Sequence, residues 1–149
     1  MKKIGIVSDI HGNLSALETA LQFLEAQAVD DVICCGDVVG YGPRPNECAA
    51  RIRDACGGCV SGNHDASAID RIALSHFGGN ASIALRWTQT QLDPASKEFL
   101  HARPEKTAYQ GFLLTHGSVR DPLWEYMNDR WTAYANFHHF EERICWFGH

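Results

Sequence analysis

The sequence predicts an α/β fold that opens β-α-β-α-β, and three observations predict it. Short β-branched runs at Ile4 to Val7 and Val32 to Cys35 alternate with stretches whose apolar residues recur at helical spacing, the two periodicities that separate a buried strand from an amphipathic helix. The connections are short and rich in Gly, Pro, Asn and Asp. Strands separated by helices in this way need crossover connections, which implies a parallel sheet with helices on its faces.

Each element has a local reason. Ile4 to Val7 is closed by Ser8-Asp9 and reads as a buried strand. Asn13 is the N-cap candidate of a helix whose Leu14, Leu17, Leu21, Leu24 and Ala28 form one stripe, with Ser15 and Glu18 at capping-box spacing. Asp30-Asp31 ends it, and Val32 to Cys35 is the second strand. Gly36 and Gly40 loosen the backbone before Pro43 and Pro45 lead into a helix that buries Cys48, Ile52, Ala55 and Cys56. After a turn at Gly57-Gly58, Cys59 to Ser61 forms a third strand. Ala66 to Leu100 is helical in composition, broken at Gly78-Gly79 and Pro94, with Trp87 and Leu92 as expected buried anchors. Thr107 to Tyr109 and Phe112 to Thr115 flank Gln110-Gly111 as strands, and Arg143 to Phe147 runs into Gly148-His149 as the last one.

A chain of 149 residues, 45% of them hydrophobic, suffices for one core, so a single domain over 1–149 is expected. Net charge is −5 and no stretch gathers Lys and Arg on one face; specific binding of duplex nucleic acid is not expected, and nucleic acid enters only as a substrate. Met1-Lys2-Lys3 starts like a signal peptide, but Ser8 and Asp9 break the apolar run that follows, and no segment approaches a membrane span. The reading is a soluble, cytoplasmic protein. Its six cysteines fit that compartment: Cys34, Cys35 and Cys145 lie in apolar runs as small hydrophobes. Cys56 and Cys59, spaced Cys-Gly-Gly-Cys, have the form of half a zinc site or a redox pair, but no second pair of ligands lies nearby, so a structural role is expected.

The residues that follow the strands carry the chemistry. After the first come Asp9 and His11, after the second Asp37, after the third Asn63, His64 and Asp65, after Phe112 to Thr115 His116, and after the last His149. Taken singly, an Asp after a strand is an ordinary helix cap and a lone His an ordinary core or surface residue. Capping explains neither the histidines nor Asn63. Because ligands bind at the carboxyl ends of strands in α/β sheets, residues far apart in sequence would converge on one cavity. Oxygen and nitrogen donors without thiolate suit a pair of borderline or hard divalent ions rather than a structural zinc. Gly12, Gly36, Gly40, Gly62 and Gly117 lie one to three residues from these donors, where the backbone must turn sharply.

Asp9-Ile10-His11, Gly36-Asp37-Val38-Val39-Gly40, Gly62-Asn63-His64-Asp65, Thr115-His116-Gly117 and Gly148-His149 resemble, in order, the signature blocks of calcineurin-like metallophosphoesterases. The resemblance spans the chain and is strongest to the small bacterial and archaeal branch, through Gly40-Tyr41-Gly42-Pro43, Pro45-Asn46-Glu47 and His116-Gly117-Ser118. It implies a layered α/β sandwich of mixed sheets flanked by helices, with the second sheet incomplete. It also implies two divalent metal ions, manganese foremost, with iron, zinc, nickel and magnesium as alternatives. One ion would take Asp9 and His11, the other Asn63, His116 and His149, with Asp37 shared by both. His64 would stand beside the leaving group as the catalytic residue. Asp65, Tyr41 and Arg44 are further positions for substrate contact or for support of the ligands.

Two departures from the family pattern matter. The last block of the family reads Gly-His-x-His, which places another ligand of the Asp9 and His11 ion two positions beyond His149; the chain is therefore expected to lack its C-terminal part, and that ion to be held weakly. The Asp-Arg-Gly that follows the second block in the serine/threonine phosphatases and diadenosine tetraphosphate hydrolases is Val39-Gly40-Tyr41 here, which ranks those activities lower. The resemblance thus implies a phosphoesterase acting on phosphodiesters or phosphomonoesters of small molecules or nucleotides. Two cations about 3.5 to 4 Å apart would share a water, lower its pKa and supply a metal-bridging hydroxide; His64 would protonate the departing alkoxide. The rival is a weak or inactive scaffold of the same fold that binds other proteins, which predicts eroded ligands. Trp124, Tyr126 and Trp131 are expected in the core rather than on a cleft wall, and His76, His101, His138 and His139 as structural or solvent-facing.

Overall fold

Two three-stranded sheets form, and the strands Asp31–Cys34 and Phe112–Thr115, buried on both faces, lie at their centres. In the computed structural model, which describes residues 2–149, β1 (Ile4–Val7), β2 (Asp31–Cys34) and β3 (Gly58–Cys59) are parallel in the order β1-β2-β3. The second sheet, β4-β5-β6, pairs β4 (Lys106–Tyr109) antiparallel to β5 (Phe112–Thr115) and β5 parallel to β6 (Cys145–Trp146). Side chains of β2 separate the layers. Val32 and Cys34 join Leu17 and Leu21 of α1 (Leu14–Ala26), Cys48 and Ile52 of α2 (Pro45–Ala55), and Phe99 and Leu100 in one core. Ile33, pointing the other way, packs with Val60 and Leu114, and Ile4, Ile6, Tyr109 and Trp146 close that inter-sheet core. Ile33 and Leu114 are fully buried, each contributing on the order of 1.5–3 kcal/mol of transfer free energy.

Four more helices complete the chain: α3 (Asn63–Ala68), α4 (Gly79–Gln91), α5 (Pro94–His101) and α6 (Arg130–Asn136). The starts of α1, α5 and α6 follow cap chemistry. Asn13 Oδ1 accepts from Ala16 N at 3.1 Å, Asp93 Oδ1 from Ser96 N at 2.7 Å ahead of Pro94, and Asp129 Oδ1 from Trp131 N and Thr132 N. The Ser15 and Glu18 capping box does not form, because Asn13 holds the cap and Ser15 lies inside the helix. Ala28 falls past the end of α1 in the left-handed region, φ 50°, so it leaves the expected stripe.

Trp87 is 40% exposed rather than a buried anchor. In a helix, Leu85, Thr88 and Leu92 share a face while Trp87 stands nearly opposite, and those three residues are buried. The third strand begins at Gly58, one residue earlier than expected, and the last spans only Cys145–Trp146. All six cysteines are free. Burial pushes the Cys35 and Cys48 thiols up to about 12 and Cys145 up to about 11, which leaves them inert. No helix among the described residues is long and apolar enough to cross a membrane.

Candidate functional site

The loops after the strands are laced together by backbone hydrogen bonds. Asp9 N donates to Gly36 O at 3.0 Å, His11 N to Asp37 O at 2.9 Å and Gly12 N to Val38 O at 2.9 Å, which sets the ends of β1 and β2 side by side. Gly148 N donates to His116 O at 2.9 Å. As β5 and β6 are parallel, His116 and His149 leave the second sheet at the same end. Convergence therefore draws on two stacked sheets rather than one. Asp9 (φ 54°), His11 (φ 50°), Asp37 (φ 52°) and His149 (φ 70°) all adopt the left-handed region, a cost of about 1–2 kcal/mol each for an L-residue. Strain gathered at four donors is characteristic of side chains held for function.

Asp37 lies at the centre, only 2% exposed. Its Oδ2 is 3.3 Å from His116 Nε2 and 3.7 Å from His11 Nε2, and its Oδ1 accepts from the His64 backbone N–H at 2.9 Å. Burial alone would raise the carboxyl, but the His116, His64 and His11 rings hold it below its ordinary value. His116, fully buried, has its Nδ1 2.9 Å from Cys35 O. In the neutral ring, donation there leaves the Nε2 lone pair facing the centre, 3.1 Å from His149 Nδ1. His11 repeats the arrangement, with Nδ1 3.3 Å from Val39 O and Nε2 3.9 Å from Asp9 Oδ1. Burial would lower His116, yet the hydrogen bond and charge of Asp37 raise it to about 9. The negative field that draws a proton there also draws a divalent cation.

These donors fit metal ions. Two groups have ligand atoms mutually within 4.8 Å: Asp37 with His116 and His149, and His11 with Asp37 and His64. The first brings together Asp37, His116 and His149, three of the four residues expected around one ion, without Asn63. In the second, His64 stands where Asp9 was expected; Asp9, with a side chain 35% exposed, is outside the group, its Oδ1 3.9 Å from His11 Nε2. The buried His149 Nε2 and His64 Nδ1 have no hydrogen-bond partner. Asn63, 4% exposed, shares the His64 N–H with Asp37, its Oδ1 at 3.0 Å, so both oxygens lie at one turn.

The remaining positions divide. Asp65 is buried and occupied by backbone: Oδ1 accepts from Val39 N at 3.0 Å and Oδ2 from Gly62 N at 3.1 Å, capping α3 and pinning the Asp37 loop. Burial and the Asp37 charge nevertheless raise its carboxyl to about 7. Tyr41 is 53% exposed and meets the rings of His11 and His64 at 4.9 and 4.7 Å. Arg44 is paired with Glu47 at 2.9 Å, outside the donor groups. Burial drives His64 down to about 4, against the pull of Asp37.

Glycine is required at two places by space. A Cβ on Gly62 would run into Asp37 Oδ1 and lie 2.6 Å from Asp37 N; one on Gly40, at φ 139°, would lie 2.7 Å from His64 Nδ1 and 2.9 Å from His11 Nδ1. Gly62→Ala is expected to destabilise the fold by about 1–3 kcal/mol through overpacking and to weaken metal binding at least tenfold. Denaturant unfolding and metal titration check the two effects separately.

The calcineurin-like phosphoesterase family model matches residues 2–148. The chain belongs to this family. It is 34% identical over 129 residues to an uncharacterized protein of Methanocaldococcus jannaschii, MJ0912, covering 83% of this chain and 53% of the relative. It is 29% identical over 132 residues to the phosphodiesterase YfcE of Escherichia coli, covering 82% of this chain and 60% of that one. The crystal structure of a metallophosphoesterase from Sphaerobacter thermophilus superposes with a TM-score of 0.86 at 40% identity, over 99% of this chain and 60% of that chain. This calcineurin-like phosphoesterase thus spans only 53% to 60% of the length of those curated relatives.

Within the family fold, sequence reasoning misplaced the aromatics and missed a support. Tyr126 and Trp131 are 54% and 69% exposed rather than core. Tyr126 stacks on His149 at 3.9 Å and 18°, and Trp124 packs on Phe77 at 5.1 Å. The loop carrying them is held by Asn136, 1% exposed, whose Oδ1 accepts from Val119 N and Arg120 N, each at 3.0 Å, and whose Nδ2 donates to Glu125 Oε2 at 3.0 Å. Nothing in the residues around Asn136 signalled this, because its partners become neighbours only once α6 packs back on the loop. His76, His101, His138 and His139 are exposed, as expected.

Proposed function

We propose that the chain carries the centre of a metal-dependent phosphoesterase that hydrolyses phosphodiester bonds, with phosphomonoesters as a second substrate class. The observation that carries this reading is the buried Asp37 carboxylate, faced by the Nε2 atoms of both His11 and His116. Asp37, Asn63, His116 and His149 would hold one divalent cation, and Asp9, His11 and Asp37 a second, manganese being the first candidate. When bound, such ions supply Lewis-acid neutralisation of phosphoryl oxygens and an activated water at neutral pH.

The chain's own residues do the rest. The carbonyls of Cys35 and Val39 fix the tautomers of His116 and His11, the His64 backbone N–H orients Asp37, and Asp65 holds the turn in place. The His64 ring is the proton donor to the leaving oxygen once an anionic ester raises its pKa. The relation to the phosphodiesterase YfcE supports diesters, and Val39-Gly40-Tyr41 in place of Asp-Arg-Gly speaks against protein phosphatase activity. The free thiols support a reducing, cytoplasmic setting. A protein-binding scaffold of the same fold is disfavoured by the retention of Asp9, His11, Asp37, Asn63, His116 and His149 together.

Turnover of bis-(4-nitrophenyl) phosphate by the chelated and the manganese-reloaded protein tests the proposal. The expected result is loss on chelation and recovery on reloading. Stable metal binding without turnover would favour the scaffold.

A further inference from the structure

Outward from His64 the rings continue without a break. Tyr41 and Phe77 lie 4.7 and 5.0 Å from the His64 ring, Trp124 lies 5.1 Å from Phe77, and His76 lies 5.8 Å from Trp124. Tyr41 is more than half exposed, Trp124 is half-buried, His76 is exposed, and Phe77, half-buried, has its other side against the core. Rings left partly in water at the rim of a polar centre mark a binding surface more than a core. Arg44 and Arg120 do not offer free charge to it, being paired with Glu47 and Glu125. The surface is therefore suited to a planar, largely uncharged group and not to a second phosphate.

We propose that Tyr41, Phe77 and Trp124 form a stacking wall for the leaving group, and that the substrates are phosphoesters whose alcohol carries a planar ring such as a nucleobase. This rests on the phosphoesterase reading, since it is the place of His64 beside the leaving group that sets which part of the ester lies along the wall. Every base has a π-face, so stacking on these rings selects for a base without selecting among bases. The expected contribution is roughly tenfold in affinity.

The test compares adenosine 5′-monophosphate with ribose 5-phosphate, which differ only in the base, by calorimetry and by quenching of tryptophan fluorescence in the manganese-loaded chain. The nucleotide should bind about tenfold tighter. Tyr41→Leu, at an exposed position that the fold does not need, and Trp124→Leu should each shrink that ratio towards one, whereas Trp131→Leu, outside the wall, should keep it. Equal affinity for the two ligands in the parent chain, or a ratio that survives both wall substitutions, overturns the proposal. Equal affinity with phosphodiester turnover intact leaves the hydrolase reading standing. A base-dependent ratio without any turnover refutes the hydrolase and supports the wall, and failure of both ligands to bind refutes both.

Discussion

Asp37→Asn is expected to lower kcat by roughly a thousandfold or more, comparable to removal of a principal charge-stabilising group, and to disturb both metal positions at once. Asparagine keeps the size of the side chain and an oxygen for the His64 N–H, which now donates at 2.9 Å. It removes the charge that faces His11 Nε2 at 3.7 Å and His116 Nε2 at 3.3 Å. Both rings would then point their lone pairs at a neutral amide whose N–H₂ competes with any cation. Asn63→Ala, by contrast, removes one donor from one group and should mainly affect that ion. Metal titration alongside turnover checks the pair; full two-ion occupancy in the Asp37→Asn protein would sink the shared-ligand assignment.

His64→Ala should retain metal and lose about 10²- to 10⁴-fold in turnover of alkyl esters, the range for a general acid, but less than tenfold for a nitrophenyl leaving group that scarcely needs the proton. The separation is possible because the backbone N–H that holds Asp37 survives the substitution. The geometry sharpens the question, since His64 shares a donor group with His11 and Asp37. If metal is lost with the ring, His64 is a ligand. If aryl and alkyl esters suffer equally, it is not the acid.

Much of the fold was legible because its signals are local. The strand at Ile4–Val7 and the caps at Asn13 and Asp93 are dictated by residues within one turn of each other. Trp87 departs from the expected burial because its place opposite Leu85 and Thr88 on the helix decides its exposure. The segment beyond His116 was opaque for another reason. Asn136, Glu125 and Arg120 satisfy one another across α6 and a loop, a tertiary arrangement without sequence periodicity.

At the site, the candidate donors could be named from the sequence while their arrangement could not. Asp9, His11, Asp37 and His116 announce themselves after strands, but the left-handed backbone of the first three and the Cys35 and Val39 carbonyls that orient the rings are properties of the folded loops. The aromatic chain from Tyr41 to Trp124 joins residues 83 positions apart and could be recognised only in three dimensions.

Whether these strand ends hold two ions is decided by calorimetric titration of the chelated chain with Mn²⁺. Two ions per chain are expected, bound unequally. The tighter should belong to Asp37, Asn63, His116 and His149, where His116 is fully buried and Asp37 nearly so; the weaker should belong to Asp9 and His11, whose side chains are 35% and 23% exposed. His116→Ala should remove the tight step and leave the weak one. A single ion, or none, or a tight step that survives His116→Ala, would contradict the account.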